Sequence, residues 1–223
     1  MLTAIRLGIQ GVNDRLRLAE LLTYRLCHDI SGPVGTLMGA LGMARENPGS
    51  AGEALGLAGD VAVSLGQRVH LVRAAWGAAV STVSVVAFAA LCEGLPQARR
   101  VKVSFEDLRP GGALCPEMTR LLLNVLILAG ESMPRGGVVI VAGDTSGAIT
   151  VRLVGVGAAW PADFAGWLAD ASRAWAAVEG MTPEMARGLQ GPLTALIGHA
   201  GGIRMGFLMA RAAEEAPPLI LTP

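Results

Sequence analysis

The feature that most limits the folds open to this chain is a long helical period, a hard stop, and a second helical period. From about Asp14 to Arg45 apolar residues recur at Leu16, Ala19, Leu22, Leu26, Ile30, Val34, Leu37, Leu41 and Ala44, the spacing of one helix face. Pro33 is the only proline in this run. It deletes a backbone donor and predicts a bend there. Asn47-Pro48-Gly49-Ser50 is a stop and a turn. The second amphipathic run carries Ala54, Leu57, Ala58, Val61, Leu65, Arg68, Val69, Val72 and Trp76. Two such helices joined by a tight turn form an antiparallel hairpin, which cannot cover both of its apolar faces alone. The expectation is a homodimer in which two hairpins build a four-helix bundle.

After about residue 80 the period changes. Val101–Glu106, Gly137–Ala142, Ala148–Gly155 and Gly202–Met209 read as strands. Helical segments are predicted near Val85–Gly94, Pro116–Ser132, Pro161–Val178 and Pro183–His199, three of them opened by a proline. Interleaved strands and helices with short turns predict an α/β sandwich of one sheet and a helical layer. The expected class is therefore α+β, with a helical hairpin over residues 1–79 and the sandwich over 80–223.

Composition excludes several classes of function. The formal net charge is zero, with 18 basic and 18 acidic residues, and the aromatics are four Phe, four Trp and one Tyr. Nucleic-acid binding needs phosphate-neutralising charge and usually stacking side chains, so no nucleic-acid partner is expected. Cys27, Cys92 and Cys115 are far apart, odd in number and at no metal spacing. They read as free thiols in a reducing cytoplasm. Residues 74–92 are uncharged over a length that spans a bilayer, but Ser81, Thr82 and Ser84 interrupt them. Met-Leu-Thr-Ala-Ile-Arg at the start lacks the layout of a secretory signal. No membrane span and a cytoplasmic location are expected.

Within the first helix His28 lies roughly 170° from the mean direction of the apolar stripe, at about 100° per residue. It should face water or a partner. Leu21, Gly32, Gly35, Gly39 and Gly42 fall within about 40° of it on the same face. Each glycine costs about 1 kcal/mol of helix stability relative to alanine, so a row of them suggests that another protein's backbone comes close to the imidazole. Leu21, Gly32 and Gly35 are the expected docking residues. A free imidazole ordinarily titrates near pH 6.5, which leaves a neutral nucleophilic nitrogen abundant at neutral pH. Asp29 can orient the ring or offset the charge gained on phosphorylation. Arg25, one turn earlier, can pair with phosphoryl oxygens. His70 and His199 have no ligating partners at metal spacing, and no metal site is expected.

The order His28-Asp29-x-x-x-Pro33, inside Arg25-Leu-Cys-His-Asp-Ile-Ser-Gly-Pro-Val-Gly35, resembles the phosphoacceptor box of histidine kinases and of the dimeric histidine phosphotransferases related to them. The second half is similar to their ATP-binding sandwich. Leu121-Leu-Leu-Asn-Val-Leu-Ile-Leu-Ala129 looks like the asparagine box: Asn124 matches its first asparagine, and Leu128 stands where the magnesium-holding one is found. Val151-Arg-Leu-Val-Gly-Val-Gly157 resembles the first glycine box, with Gly155 and Gly157 kept and Leu153 in the place of the adenine-binding aspartate. Residues 191–203 are similar to the last glycine box, but Pro192 and Thr194 leave no glycine-rich phosphate loop. Leucine neither accepts the adenine amino proton nor coordinates magnesium.

This combination resembles the ChpT-type histidine phosphotransferases, kinase-like dimers without kinase activity. The resemblance implies a relay without ATP: phosphate passes from the receiver aspartate of a hybrid histidine kinase to His28, then to response-regulator receivers, CtrA-like regulators among them. It implies no cofactor of the chain's own, with magnesium supplied by the partner receiver. The rival expectations are an active ATP-dependent histidine kinase and a non-catalytic dimeric adaptor.

Overall fold

The structure is a computed structural model that describes residues 2–78, 80–109, 111–210 and 215–223, with side chains described from residue 13 onward. Helix α1 (Leu2–Glu46) runs for 45 residues and continues through Pro33. At Asn47 the chain stops: its side chain accepts from the Gly49 backbone N–H at 3.1 Å, and Pro48–Ser50 form a single 3-10 turn. Helix α2 (Ala51–Trp76) then returns antiparallel to α1. No helix among the described residues is long and apolar enough to cross a membrane. The uncharged stretch 74–92 is divided between the end of α2 and helix α3 (Val85–Cys92). Ser84 caps α3 by accepting from the Ala87 N–H at 3.2 Å, which is why the polar residues fall at that break.

The second half builds a six-stranded sheet. Its strands are β1 (Val101–Ser104), β2 (Leu108–Arg109), β3 (Gly137–Asp144), β4 (Ile149–Val154), β5 (Arg204–Phe207) and β6 (Leu219–Thr222). The order is β1-β3-β4-β6-β5, and β1 and β2 pair in parallel with successive parts of the same edge of β3. The period of two along β4 puts Ile149, Val151 and Leu153 inside. They pair with inward residues of the neighbouring strands: Val139 opposite Leu153, Val141 opposite Val151, Leu221 opposite Ile149.

Helix α4 (Pro116–Glu131) is buried from Met118 to Gly130 except at Arg120, as a helix apolar almost all round must be. It is enclosed by the end of α2, by helix α7 (Gln190–Ala200) and by β3. Leu121, Leu122 and Leu123 have no exposed surface, and each contributes about 1.5–3 kcal/mol of transfer free energy.

The sheet holds two strands beyond the predicted four, β2 and β6, and the predicted helix over 161–178 is two helices. Asp170 takes extended dihedrals and caps α6 (Ala171–Glu179) by accepting from the Ser172 N–H at 2.8 Å, which ends α5 (Phe164–Ala169). The predicted 183–199 helix begins as a 3-10 segment, Pro183–Leu189, before α7. The expected boundary after residue 79 falls at a residue outside the described set. The core is continuous across it, since Leu21, Leu71 and Ala75 of the hairpin share one buried cluster with Phe88, Leu121 and Leu189.

Candidate functional site

Helix α1 is covered on two sides. One stripe meets α2, and the opposite side of its middle portion meets α6 and the Pro183–Leu189 segment. That second contact decides which side chains near His28 are accessible. Leu21 has no exposed surface and belongs to the core, so it is not a docking residue. The periodicity of one helix shows where α2 packs and nothing of the face on which a distant segment folds back. Gly32 and Gly35, further along, are exposed, and a Cβ at either would meet nothing within 4 Å. No contact among the described residues accounts for these glycines.

Arg25 also departs from expectation. Only 5% of it is exposed, and its donors are committed within the protein. Nη2 donates to Glu131 at the end of α4, Nη1 donates to the Arg187 carbonyl at 3.3 Å, and Nε lies 3.8 Å from Asp29 Oδ2. The guanidinium carbon stands 5.6 Å from the centroid of the Trp76 ring. A planar fork with five donors suits this convergence on two acids and a carbonyl. Burial raises the Glu131 pKa, while the charge and hydrogen bond of Arg25 oppose the shift without cancelling it. Arg25 is thus a buried tie between α1, α4 and the 3-10 segment that also steadies Asp29, rather than a free ligand for a phosphoryl group.

His28 points outward, with 48% of its side chain exposed. Nδ1 lies 3.3 Å from Asp29 Oδ1, and Nε2 lies 3.4 Å from Arg187 Nη2. These two contacts fix the neutral tautomer. A guanidinium only donates, so Nε2 must accept; the ring proton is then on Nδ1, where it donates to the carboxylate. Asp29 is held in turn by Arg25 and, at its carbonyl, by Arg68 Nη1 at 3.4 Å. Tyr24, Arg25, His28 and Asp29 form one wall of an open cleft of about 310 Å³, and Pro183, Glu184, Ala186 and Arg187 form the other. Arg187 is the site residue that sequence reasoning missed. Its one local signal was a lone exposed charge just before the buried run Leu189–Gly198.

The residues matching the nucleotide boxes are taken up by the fold. Asn124 is fully buried. Its amide donates to the carbonyls of Ala75 at 2.7 Å and Arg120 at 2.8 Å, and its Oδ1 accepts from Gln190 Nε2 at 3.0 Å. Leu128 and Leu153 are in the core. Gly191 to Thr194 lie inside α7, where Thr194 Oγ1 donates to the Gln190 carbonyl at 2.7 Å. Gly155 backs onto the Gly136 carbonyl so closely that a Cβ would collide with it, and Gly157 has a φ of +71°. Close packing at the strand end therefore accounts for Gly155, and a left-handed backbone accounts for Gly157. These side chains do not fit a magnesium nucleotide. Among the described residues, no group of three or more His, Cys, Asp or Glu is disposed to hold a metal ion.

Residues 87–210 match the family described as histidine phosphotransferase C-terminal domain. The protein phosphotransferase ChpT of Brucella abortus (strain 2308) is 32% identical over 123 residues, which are 55% of this chain and 58% of that protein. This chain therefore matches less than two thirds of its curated relative's length. A solved bacterial phosphotransferase structure superposes with a TM-score of 0.66 at 24% identity, covering 92% of this chain and 96% of that one. At that identity the superposition speaks for the fold alone.

Proposed function

The chain belongs to the histidine phosphotransferase family, matched over its C-terminal domain at residues 87–210, and on that premise we propose that it relays phosphoryl groups between receiver-domain aspartates through His28. The observation that carries this reading is an exposed imidazole with Asp29 at Nδ1 and an open cleft in front of Nε2. Asp29 holds the Nδ1 proton and the lone pair of Nε2 faces an open cleft. In the forward step Nε2 attacks the phosphorus of an aspartyl phosphate. The N–P bond forms as the P–O bond breaks, and the donor carboxylate leaves with the electron pair. The ring keeps its Nδ1 proton and gains positive charge, which Asp29 offsets from 3.3 Å. The reverse attack by a second aspartate passes the group on. Such a transfer asks mainly for alignment and for charge placed where it develops.

The donor in this proposal is the receiver of a hybrid histidine kinase, and the acceptors are response-regulator receivers, CtrA-like regulators among them. Magnesium belongs to the receiver. ATP is not a substrate, a reading supported by the burial of Leu128 and Leu153 and by the engagement of Asn124 inside the protein. The working form is a cytoplasmic homodimer. Leu55, Gly59, Ala62 and Val69 are exposed on α2 and, at about 100° per residue, share one arc of about 80° that is uncharged from Leu55 to Val69 and meets Arg73 only in the last turn. Met38 and Leu41 form an exposed apolar pair on α1.

The test is to charge a receiver domain with labelled phosphate and mix it with the wild type and with His28→Ala. Label should reach only the wild type. Equal labelling of the two proteins would remove His28 from the mechanism.

A further inference from the structure

We propose that Arg187, supplied by the second domain, is the phosphoryl-binding residue of the His28 site, so that the sandwich is part of the reaction centre. The inference rests on the reading of His28 as phosphoacceptor and adds to it the group that meets the transferred phosphate.

Three observations carry it. First, Arg187 Nη2 is 3.4 Å from His28 Nε2, the nitrogen that carries the ring's lone pair. Whatever bonds to Nε2 is formed directly in front of this guanidinium. Second, Arg187 is exposed and its side chain makes no other hydrogen bond or ion pair within the described residues, so its donors are available to an incoming anion. Arg25, one turn from His28 on its own helix, has its donors committed to Glu131, Asp29 and the Arg187 carbonyl. Third, the backbone that carries Arg187 is anchored. Arg25 Nη1 donates to the Arg187 carbonyl, and Arg17 Nη2 donates to the Met181 carbonyl two residues ahead of the same segment. Two arginines of α1 thereby fix the height at which the guanidinium meets the imidazole.

In the resting protein Arg187 donates to Nε2 and keeps the proton on Nδ1. When a donor enters the cleft, the guanidinium gives up the nitrogen and takes two phosphoryl oxygens in its planar fork. The N–P bond forms, the bond from phosphorus to the leaving group breaks, and the leaving group departs with the electron pair. In the loose transition state negative charge is spread over the three equatorial oxygens, and the guanidinium is placed to meet it there. Because the carrier segment belongs to the sandwich, anything that lifts this domain from α1 withdraws the cation from the phosphate.

The test uses the full chain and phosphoramidate, a small phosphoryl donor that releases ammonia and needs no partner protein. Phosphohistidine formation is followed by phosphorus NMR in the wild type, His28→Ala, Arg187→Ala and Arg187→Lys, each with a thermal melt. The wild type should label and His28→Ala should not. Arg187→Ala should melt as the wild type does yet label about a hundredfold more slowly, the usual cost of removing one oxyanion donor. Arg187→Lys, which keeps the charge without the fork, should recover part of the rate. If Arg187→Ala labels at the wild-type rate or faster, Arg187 only caps the resting imidazole and the proposal is wrong, with His28 untouched. If His28→Ala labels like the wild type, the reading of His28 itself fails.

Discussion

Asn124 donates its side-chain amide to the carbonyl of Ala75 across 2.7 Å, tying the middle of α4 to the last turn of α2. The same side chain accepts from Gln190, which also donates to the Asn124 carbonyl at 3.1 Å. A residue matching the asparagine box of ATP-binding kinases thus sits in a sealed polar network that joins the hairpin to the sandwich.

That network sets the first prediction. Asn124→Ala leaves the Ala75 carbonyl with only the 3.4 Å bond from Arg120 Nε and removes one acceptor from Gln190, whose amide keeps the backbone carbonyl of residue 124 and Thr194 Oγ1; a buried group left poorly paired costs about 1–3 kcal/mol. Chemical denaturation should show a loss of about 1–3 kcal/mol. A nucleotide ligand would make no difference to it. A loss below 1 kcal/mol would mean that water or relaxation satisfies these groups.

Restoring the kinase residue at Leu153 should not restore a kinase. Leu153 faces the core from β4, opposite Val139, with 6% of its surface exposed. An aspartate there is a buried carboxylate with no partner, and Leu153→Asp should destabilise the protein by about 3 kcal/mol or more. Calorimetric titration with magnesium ATP should register no binding to the variant or to the wild type. Binding by the wild type would overturn the ATP-independent reading.

The hairpin and the outward direction of His28 were legible because both are local. A stripe repeating every three or four residues and a stop at Asn47–Ser50 need no knowledge of the rest of the chain. Arg187 was not legible, since it reaches His28 from 159 positions away and no period links the two. Leu21 was misplaced for the same reason: its burial comes from a segment that folds back onto α1. Strand β6 escaped notice because four residues after Pro217-Pro218 carry too short a pattern, although pairing with β4 and β5 makes them central. Asp170 did leave a cap signal, but it lies within an apolar period that continues through it.

Burial pushes the Cys92 thiol up to about 12 from its ordinary 9.0. In the native protein at pH 8, iodoacetamide should modify the exposed Cys27 and Cys115 and spare Cys92, with a third adduct only after unfolding. The same shift has a thermodynamic consequence. Between pH 9 and 12 the folded protein keeps a proton that the unfolded chain gives up, so this contribution to stability is complete below pH 9 and declines as pH rises. Against Cys92→Ala, the wild type should lose stability in that window at a limiting slope of about 1.4 kcal/mol per pH unit. Parallel pH profiles for the two proteins would show that the Cys92 thiolate is no less accommodated in the fold than in the unfolded chain.

The exposed arc on α2 separates assembly from chemistry. Leu55 is 55% exposed and Val69 45%, and at about 100° per residue the small residues Gly59 and Ala62 lie between them on the same face. Small residues let a second helix approach closely, and an isologous pairing of this face buries each Leu55 in a two-fold contact. Leu55→Glu places a carboxylate from each subunit in that contact, and burying such a charge unpaired costs several kcal/mol per ion. Light scattering should therefore find a dimeric wild type and a monomeric variant. The fold of each chain should persist, because Leu55 lies outside the continuous core. Since His28, Asp29 and Arg187 all come from one chain, the monomer should still take phosphate from phosphoramidate. A dimeric variant would move the interface to another face of the hairpin, and a monomer unable to accept phosphate would show that the site needs the second subunit.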